Sequence, residues 1–378
     1  HAALAGLARF DVRYRKAIIP LFAGIFVLSA FGIGRLRVDS NFLNEFSEDE
    51  PIRIATEYVD EIMGGSYSVV YLFDSGVQEG IKSPEFLREI ERLQTEADGR
   101  AHLVKKSYSI ADLLKDINKS FNEEDPAHYV LPETRELAAQ YLLLYEMSGG
   151  EELQDFISGD FARASLELRC KLGESSVLAG MVDELDAYLE AYPVSAASVS
   201  VTGIGALWLR LMTYITQSQI RGFLLAFSVI AALMCFMFQS LKTGLLAMVP
   251  NLSPVVLTLG VMGWLDMPLD YVRLLIATVA IGIAVDDTIH HMTRFRYEFL
   301  RSGSYEQALE ASTVDVGRAL VITSVVLVAG FLVFLLSGLD SFASFGVLLA
   351  TTIGVALVAD FLLMPALVLT CKPWGPGS

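Results

Sequence analysis

Two adjacent acids, Asp286 and Asp287, lie within an apolar stretch long enough to form a membrane helix, and His290 and His291 follow them closely. On insertion scales a charged residue at mid-bilayer depth costs about 2.5 to 3.5 kcal/mol, so the two acids cost on the order of 6 kcal/mol. Residues four apart share a helix face, which pairs Asp286 with His290 and Asp287 with His291. The acids therefore need partners on neighbouring helices, and the pattern predicts a proton or ion relay inside a helix bundle. The alternative is that the helix ends here and the acids reach interfacial water.

The run GIAVDDTIHHMTRFRYE, residues 282–298, resembles the fourth transmembrane helix of transporters of the resistance, nodulation and division (RND) superfamily. Within that superfamily it is similar to the hydrophobe exporters and the sterol-sensing-domain proteins. The resemblance implies an α-helical bundle of six spans. It also implies a periplasmic α+β domain, ferredoxin-like and porter-type, inserted between spans 1 and 2.

The fifth span offers two hydroxyls for the relay, those of Thr323 and Ser324. In the resembled family, a Thr/Ser pair of this span lies near the acidic fourth helix. The competing interpretation is that these hydroxyls only bond to carbonyls of their own helix. Asp360, late in the sixth span, is interpreted as an anchor near the membrane surface. The expected proton-relay residues are Asp286, Asp287, His290, Thr323 and Ser324.

Composition supports a membrane protein with one water-facing domain. Of the 378 residues, 53% are hydrophobic, and the mean hydropathy of +0.48 is too high for an ordinary soluble protein. The net charge of −16 is concentrated between Arg35 and Gln217, where 33 acidic and 16 basic residues give about −17. Such an acidic segment makes nucleic acid an unsuitable partner.

Hydropathy and charge divide the chain into an ordered series of segments. The outer parts of the water-facing segment show strand and helix patterns. Basic residues cluster on the side of the amino end, which places that end in the cytoplasm. The predicted domains are a cytoplasmic segment (1–16), transmembrane helix 1 (17–36), a periplasmic porter-like domain (37–218) with a helical insertion at about 107–159, a five-helix, sterol-sensing-domain-like transmembrane domain (219–371) and a cytoplasmic tail (372–378).

This sequence lacks the motifs of several classes of enzyme and pump. The histidines other than the adjacent pair lie outside the membrane region, and no HExxH pattern occurs, so no metal or other cofactor is expected. Neither a GxSxG motif nor a P-loop is present. Energy would therefore come from an ion gradient, and the chain is predicted to be a secondary-active transporter rather than an enzyme.

A stripe formed by Trp208, Leu211 and Ile215 precedes the second span and is the candidate substrate-binding surface. Packing against the porter-like domain would explain the stripe equally well. The predicted function is export or trafficking of hydrophobic or lipid molecules, of the sterol, hopanoid or fatty lipid type, driven by the proton-motive force. The alternative is a lipid-binding or sensing module that does not transport, or an accessory membrane protein like SecD and SecF.

The resemblance also implies partners and a location. Members of the resembled family carry two such repeats, whose acidic helices face each other, and this chain has one. The second repeat is expected either in the same longer chain, with this one as its C-terminal half, or in another copy of a half-size protein. The expected site is the bacterial inner membrane, with lipid substrates and periplasmic carrier proteins as further partners.

Overall fold

The computed structural model describes residues 2–150 and 153–375. Its strands are β1 (Tyr67–Asp74), β2 (Val104–Ser109), β3 (Arg163–Cys170) and β4 (Ser198–Thr202). Its α-helices are α1 (Ala2–Ile33), α2 (Pro51–Met63), α3 (Pro84–Asp98), α4 (Ile110–Phe121), α5 (Arg135–Met147), α6 (Leu153–Phe156), α7 (Ser175–Ala191), α8 (Gly203–Phe238), α9 (Leu241–Trp264), α10 (Leu275–Ser302), α11 (Tyr305–Leu332), α12 (Asp340–Val358) and α13 (Met364–Cys371).

The chain divides into two compact units. The membrane unit contains the residues up to Ser40, the short segment Asn44–Ser47, and everything from Tyr214 onward. The sheet unit contains Asn41–Leu43 and Glu48–Thr213. Among the described residues, six helical stretches are long and apolar enough to cross a bilayer: Ala2–Ile33, Gly203–Phe238, Leu241–Trp264, Leu275–Ser302, Tyr305–Leu336 and Asp340–Cys371. These stretches make the chain a multi-pass membrane protein.

Helix α1 packs most closely against α9 through glycines. A Cβ atom added at Gly32 would collide with the backbone of Gly260, and one added at Gly263 would collide with the backbone of Gly32. Small residues allow this approach, which maximises van der Waals contact where lipid supplies no hydrophobic drive. The indole nitrogen of Trp264 donates a hydrogen bond to the carbonyl oxygen of Leu28 at 3.0 Å. We call this contact the glycine seam.

Segments that connect the membrane helices are tied together at the end of the bundle where the chain leaves α1. We call residues 37–40 and 44–47 the strap. Val38 bridges Leu269 in parallel, and Phe46 bridges Leu339 in antiparallel fashion. The hydroxyl of Ser47 donates to a carboxylate oxygen of Asp340 at 2.8 Å. The strap therefore holds the loops before α10 and α12 in one layer.

The sheet unit is built on four antiparallel strands in the order β2-β3-β1-β4. Alternate residues of β1 are buried, as expected for a strand with one face on a core. Helices α3 and α7 cover that face with their apolar sides. The fully buried aromatic residues of this core are Tyr71, Phe73 and Phe86.

Helix α2 is turned the opposite way from an ordinary surface helix. Its only buried residue is Asp60, while its apolar side is exposed, including Tyr58 and Ile62. The side-chain oxygen Oδ1 of Asp60 accepts hydrogen bonds from the backbone N–H groups of Ser66 at 2.7 Å and Leu172 at 3.1 Å. A carboxylate thus fixes this helix to the sheet.

Helix α8 runs without a break from Gly203 to Phe238, so one helix contains both the stripe that precedes the second span and the span itself. Two features of the elements differ from the prediction. Helix α1 begins at Ala2, so residues expected as a separate segment are part of the first long helix. Strand β2 was not predicted, because its sequence VKKSYS is polar and half of it faces outward.

Candidate functional site

The acid pair lies near the middle of α10, about 17 Å along the helix axis from Leu275 at 1.5 Å per residue. The side chain of Asp286 is 75% exposed and that of His290 is 67% exposed, and their Oδ1 and Nε2 atoms are 3.4 Å apart. Gly282 and Thr293 are exposed on the same face. The structure therefore contains a polar stripe at mid-span that no described residue covers.

Asp287 faces another direction because adjacent helical residues point about 100° apart. It is half-buried, and it interacts electrostatically with Asp286, His290 and Ser324 of α11. The hydroxyl of Ser324 is buried. Thr323 is exposed instead, and its hydroxyl bonds to the carbonyls of Ala319 and Leu320 on its own helix. Of the two predicted hydroxyls, only Ser324 lies beside the acids.

A buried polar cluster adjoins the acid pair and begins at the next residue of α10, Thr288. Thr288 is fully buried, and its hydroxyl oxygen lies 2.7 Å from Oδ1 of Asn251 on α9. It also makes a very short hydrogen bond with Oδ1 of Asp360, which is 1% exposed. The side-chain amide of Asn251 donates to the carbonyl of Ala247 at 3.0 Å. Three helical segments thus meet in one hydrogen-bonded chain.

The position of Asp360 differs from the expected surface anchor. It lies in a π-helical turn, Ala359–Leu363, between α12 and α13. Such turns insert an extra residue and are frequent at functional sites. The turn directs the carboxyl into the bundle, where its Oδ2 atom has no hydrogen-bond partner within the described ranges. Sequence reasoning missed this because Asp360, Thr288 and Asn251 are distant in the chain.

His291 belongs to the buried side of α10, unlike His290. It is fully buried, its Nε2 atom is 3.4 Å from the hydroxyl of Thr313, and its ring meets that of Phe361 edge-on. Among the residues that the structure describes, no group of three histidine, cysteine or acidic side chains could hold a metal ion.

The predicted substrate stripe is divided between two environments. Trp208 is half-buried and packs against the core of the sheet unit, while Leu211 is exposed and Ile215 is half-buried. The start of α8 is held against β1, where a Cβ atom on Gly205 would meet the carbonyl oxygen of Ser68 at 2.9 Å. That close packing turns Trp208 inward. The exposed apolar residues of the first turns of α8 are Ile204, Leu207 and Leu211.

A separate acidic cluster lies outside the spans and includes Glu45 of the strap. Glu45 is 6% exposed and its Oε2 atom lacks a hydrogen-bond partner among the described residues. Asp270, by contrast, accepts hydrogen bonds from two backbone N–H groups and forms an ion pair with Arg273 at 3.3 Å. Burial, and secondarily the charge of Asp270, raise the pKa of Glu45 against the opposing hydrogen bonds of Ser341 and Tyr271. Burial and the nearby Glu45 raise the pKa of Tyr271 to about 12.

Six apolar helices, one of which carries an acid pair, define a multi-pass membrane protein. The MMPL family matches residues 147–377, and the chain belongs to this family, which is part of the RND superfamily. Members of the family are transporters rather than enzymes.

One curated relative is the archaeal protein named "Putative membrane protein MJ1562" from Methanocaldococcus jannaschii. It is 27% identical over 198 residues, which cover 52% of this chain and 51% of the relative. The chain thus spans about half the length of the curated relative it matches.

Proposed function

We propose that this chain is one six-span repeat of a secondary transporter that moves hydrophobic or lipid molecules out of a membrane, driven by the proton-motive force. The observation that carries this proposal is the pair Asp286–Asp287 at mid-span, one exposed and one half-buried beside a polar cluster. A charge at that depth costs about 2.5 to 3.5 kcal/mol, which a purely structural helix has no reason to bear. One proton moved across 100 mV supplies about 2.3 kcal/mol, enough to bias a conformational cycle.

The relay in this proposal consists of Asp286, Asp287, His290 and Ser324. Apolar surroundings disfavour an ionised carboxyl, and so does an adjacent carboxylate, so the pair favours holding a proton over carrying two charges. Release of that proton creates charge that needs water or new partners, and the helix packing then differs between the two states. We leave Thr323 out of this relay, because its hydroxyl donates to carbonyls of its own helix.

The exposed stripe of α10 supports a second repeat as partner, either in the same longer chain or in another copy. Asp286 and His290 would face hydrocarbon if nothing covered them, whereas a second acidic helix would bury them among polar groups. Gly282 lies on this stripe, and a Cβ atom added there has open space around it. A Gly282→Cys variant in a background without the three native cysteines should therefore cross-link across the interface. Gly222→Cys on α8, which also has open space, is the control that should not.

The substrate class follows from surface chemistry. The sheet unit carries a strongly negative net charge, which repels anions. The apolar stripe at Ile204, Leu207 and Leu211 offers apolar contact instead. Sterol, hopanoid or fatty lipid molecules fit such a surface, and periplasmic carrier proteins are the receivers in this scheme. Trp208 contributes by holding α8 against the sheet rather than by touching substrate.

In this proposal the sheet unit is a porter-type domain outside the cytoplasm. The strand order β2-β3-β1-β4, with helices α3 and α7 on one face, supports a ferredoxin-like, porter-type domain. Charge asymmetry supports placing this domain in the periplasm and the bundle in the bacterial inner membrane. Labelling of Ser120→Cys from outside intact cells tests this placement, because labelling only after permeabilisation would reverse the topology.

The decisive experiment measures lipid transfer from proteoliposomes that contain the full assembly and a pH gradient. Asp286→Asn and Asp287→Asn keep side-chain size but fix the neutral state, so each should abolish gradient-driven transfer while leaving lipid binding intact. Asp266→Asn, an exposed acid paired with Arg37, is the control and should transfer normally. Normal transfer by both relay variants would refute proton coupling and favour a lipid-sensing module.

A further inference from the structure

We propose that Asp360 carries a proton in this structure, and that loss of this proton is passed through Thr288 to Asn251 on α9. The assignment deepens the proposed function, on which its role in transport rests. The protonation state itself follows from hydrogen-bond counting and does not depend on transport.

The two contacts of the Asn251 side chain fix the orientation of its amide. Its nitrogen donates to the carbonyl of Ala247, so its Oδ1 atom is the one that faces Thr288 at 2.7 Å. An amide oxygen only accepts, and therefore the hydrogen in that contact comes from the Thr288 hydroxyl.

The second contact of Thr288 then needs a hydrogen from elsewhere. A threonine hydroxyl has one hydrogen, and Thr288 has already given it to Asn251. Its oxygen nevertheless makes a very short hydrogen bond with Oδ1 of Asp360. Only a protonated Asp360 can donate in this contact. An ionised Asp360 would place two acceptors against each other in a site that is closed to solvent.

The groups that face Asp360 give no reason for it to stay charged. On α10 these are Asp287, which repels a second negative charge, and His291, which lies beside the backbone of Asp360. Helix α9 contributes the uncharged Asn251. The segment of α1 that packs on the π-helical turn presents Ile18 and Phe22. The described neighbours include no cation paired with this carboxyl.

Deprotonation of Asp360 would change which group donates in each of the hydrogen bonds that link Asp360, Thr288 and Asn251. The O–H bond of Asp360 breaks, and its proton passes to the carboxylate of Asp287. Thr288 then turns its hydrogen toward the new carboxylate, and Asn251 loses the donor to its Oδ1. To restore a hydrogen bond, Asn251 must rotate its amide, which breaks its bond to Ala247 on α9. That helix is already weakened by Pro250 and Pro254, so a local change there can alter its bend.

Infrared spectroscopy of the purified full chain tests the protonation state directly. The wild-type protein should show the carbonyl stretch of a protonated carboxyl, and Asp360→Asn should lose one such component. An Asn amide donates to Thr288 as the acid does, so this variant should fold and elute normally. Asp266→Asn, an exposed acid, should retain the whole band. Retention of the whole band in Asp360→Asn would overturn the assignment.

The role of Thr288 is tested by titrating the same band with pH. Thr288→Ser keeps the hydroxyl and should titrate as the wild type does, whereas Thr288→Val should shift the pH at which the band disappears. An unshifted titration in Thr288→Val would show that Thr288 has only a structural role.

The transport assay separates this assignment from the proposed function. Asp360→Asn should lose gradient-driven transfer, and transfer at the wild-type rate would exclude Asp360 from the proton cycle. If the variants of the acid pair transfer lipid normally, the proposed function fails. Loss of the infrared component in Asp360→Asn would still establish a protonated Asp360 in that case.

Discussion

Replacing Asp60 by alanine should release α2 from the sheet unit. The carboxylate is the buried group of an otherwise outward-facing helix, and it accepts the N–H groups of Ser66 and Leu172. Ser66 follows the turn after α2, and Leu172 follows β3, so one side chain ties the helix to two strand ends. Alanine would leave two backbone N–H groups without this acceptor.

The size of the effect follows from these two bonds. Hydrogen bonds to charged groups contribute about 1.5 to 3 kcal/mol each, and an unsatisfied buried N–H costs about 1 to 3 kcal/mol. We therefore expect Asp60→Ala to lower the opening free energy of this region by about 3 kcal/mol, or roughly a hundredfold in the opening constant. Asp60→Asn keeps an oxygen acceptor without the charge and should cost about 1 kcal/mol.

Hydrogen exchange of the full chain in detergent, read by mass spectrometry, measures this opening in peptides that cover α2 and the start of β1. Glu61→Ala on the same helix is the matched control, because Glu61 is exposed, and its exchange should stay within about threefold of the wild type. Exchange in Asp60→Ala that is no faster than in the control would show that the two bonds do not hold α2.

Two further predictions concern the membrane unit. The folded protein raises the pKa of Glu45, so it binds the Glu45 proton more tightly than a detached strap would, and attachment of the strap weakens as pH rises through the raised pKa. Hydrogen exchange of strap peptides, corrected for intrinsic rates, should therefore rise with pH in the wild type and not in Glu45→Gln. Equal pH dependence in both proteins would contradict this. Gly263→Ala places a methyl group against the backbone of Gly32 and should cost about 1 to 3 kcal/mol, seen as a lower Tm, whereas Gly222→Ala has open space and should leave the Tm unchanged.

The long apolar segments could be predicted because hydropathy over about 20 residues is a local signal. The acid pair was equally visible, since charge within an apolar run stands out without any tertiary information. What the sequence could not show was which way each side chain points around the axis of α10. The exposure of Asp286 and the burial of Thr288 depend on which neighbours pack on each side of α10.

Two other differences have specific physical causes. The π-helical turn redirects Asp360 by one extra residue per turn, and periodicity of 3.6 residues does not anticipate it. The inward orientation of Trp208 comes from the close approach of Gly205 to β1, which is a tertiary contact. Asp360 was therefore assigned to the wrong surroundings although its helix was correctly recognised, whereas for Trp208 the sequence left both packing and substrate contact open.

The glycine seam has a consequence for the order of events during synthesis. Leu28 and Trp264, whose hydrogen bond belongs to the seam, are 236 residues apart in the chain. At about 5 to 20 residues per second, α1 leaves the ribosome roughly 12 to 47 s before α9 is complete. Until α8 follows late in that interval, α1 must reside in the bilayer as a lone span, which its apolar length permits. The whole sheet unit is translated in the same interval, so it can fold while the bundle still consists of a single helix.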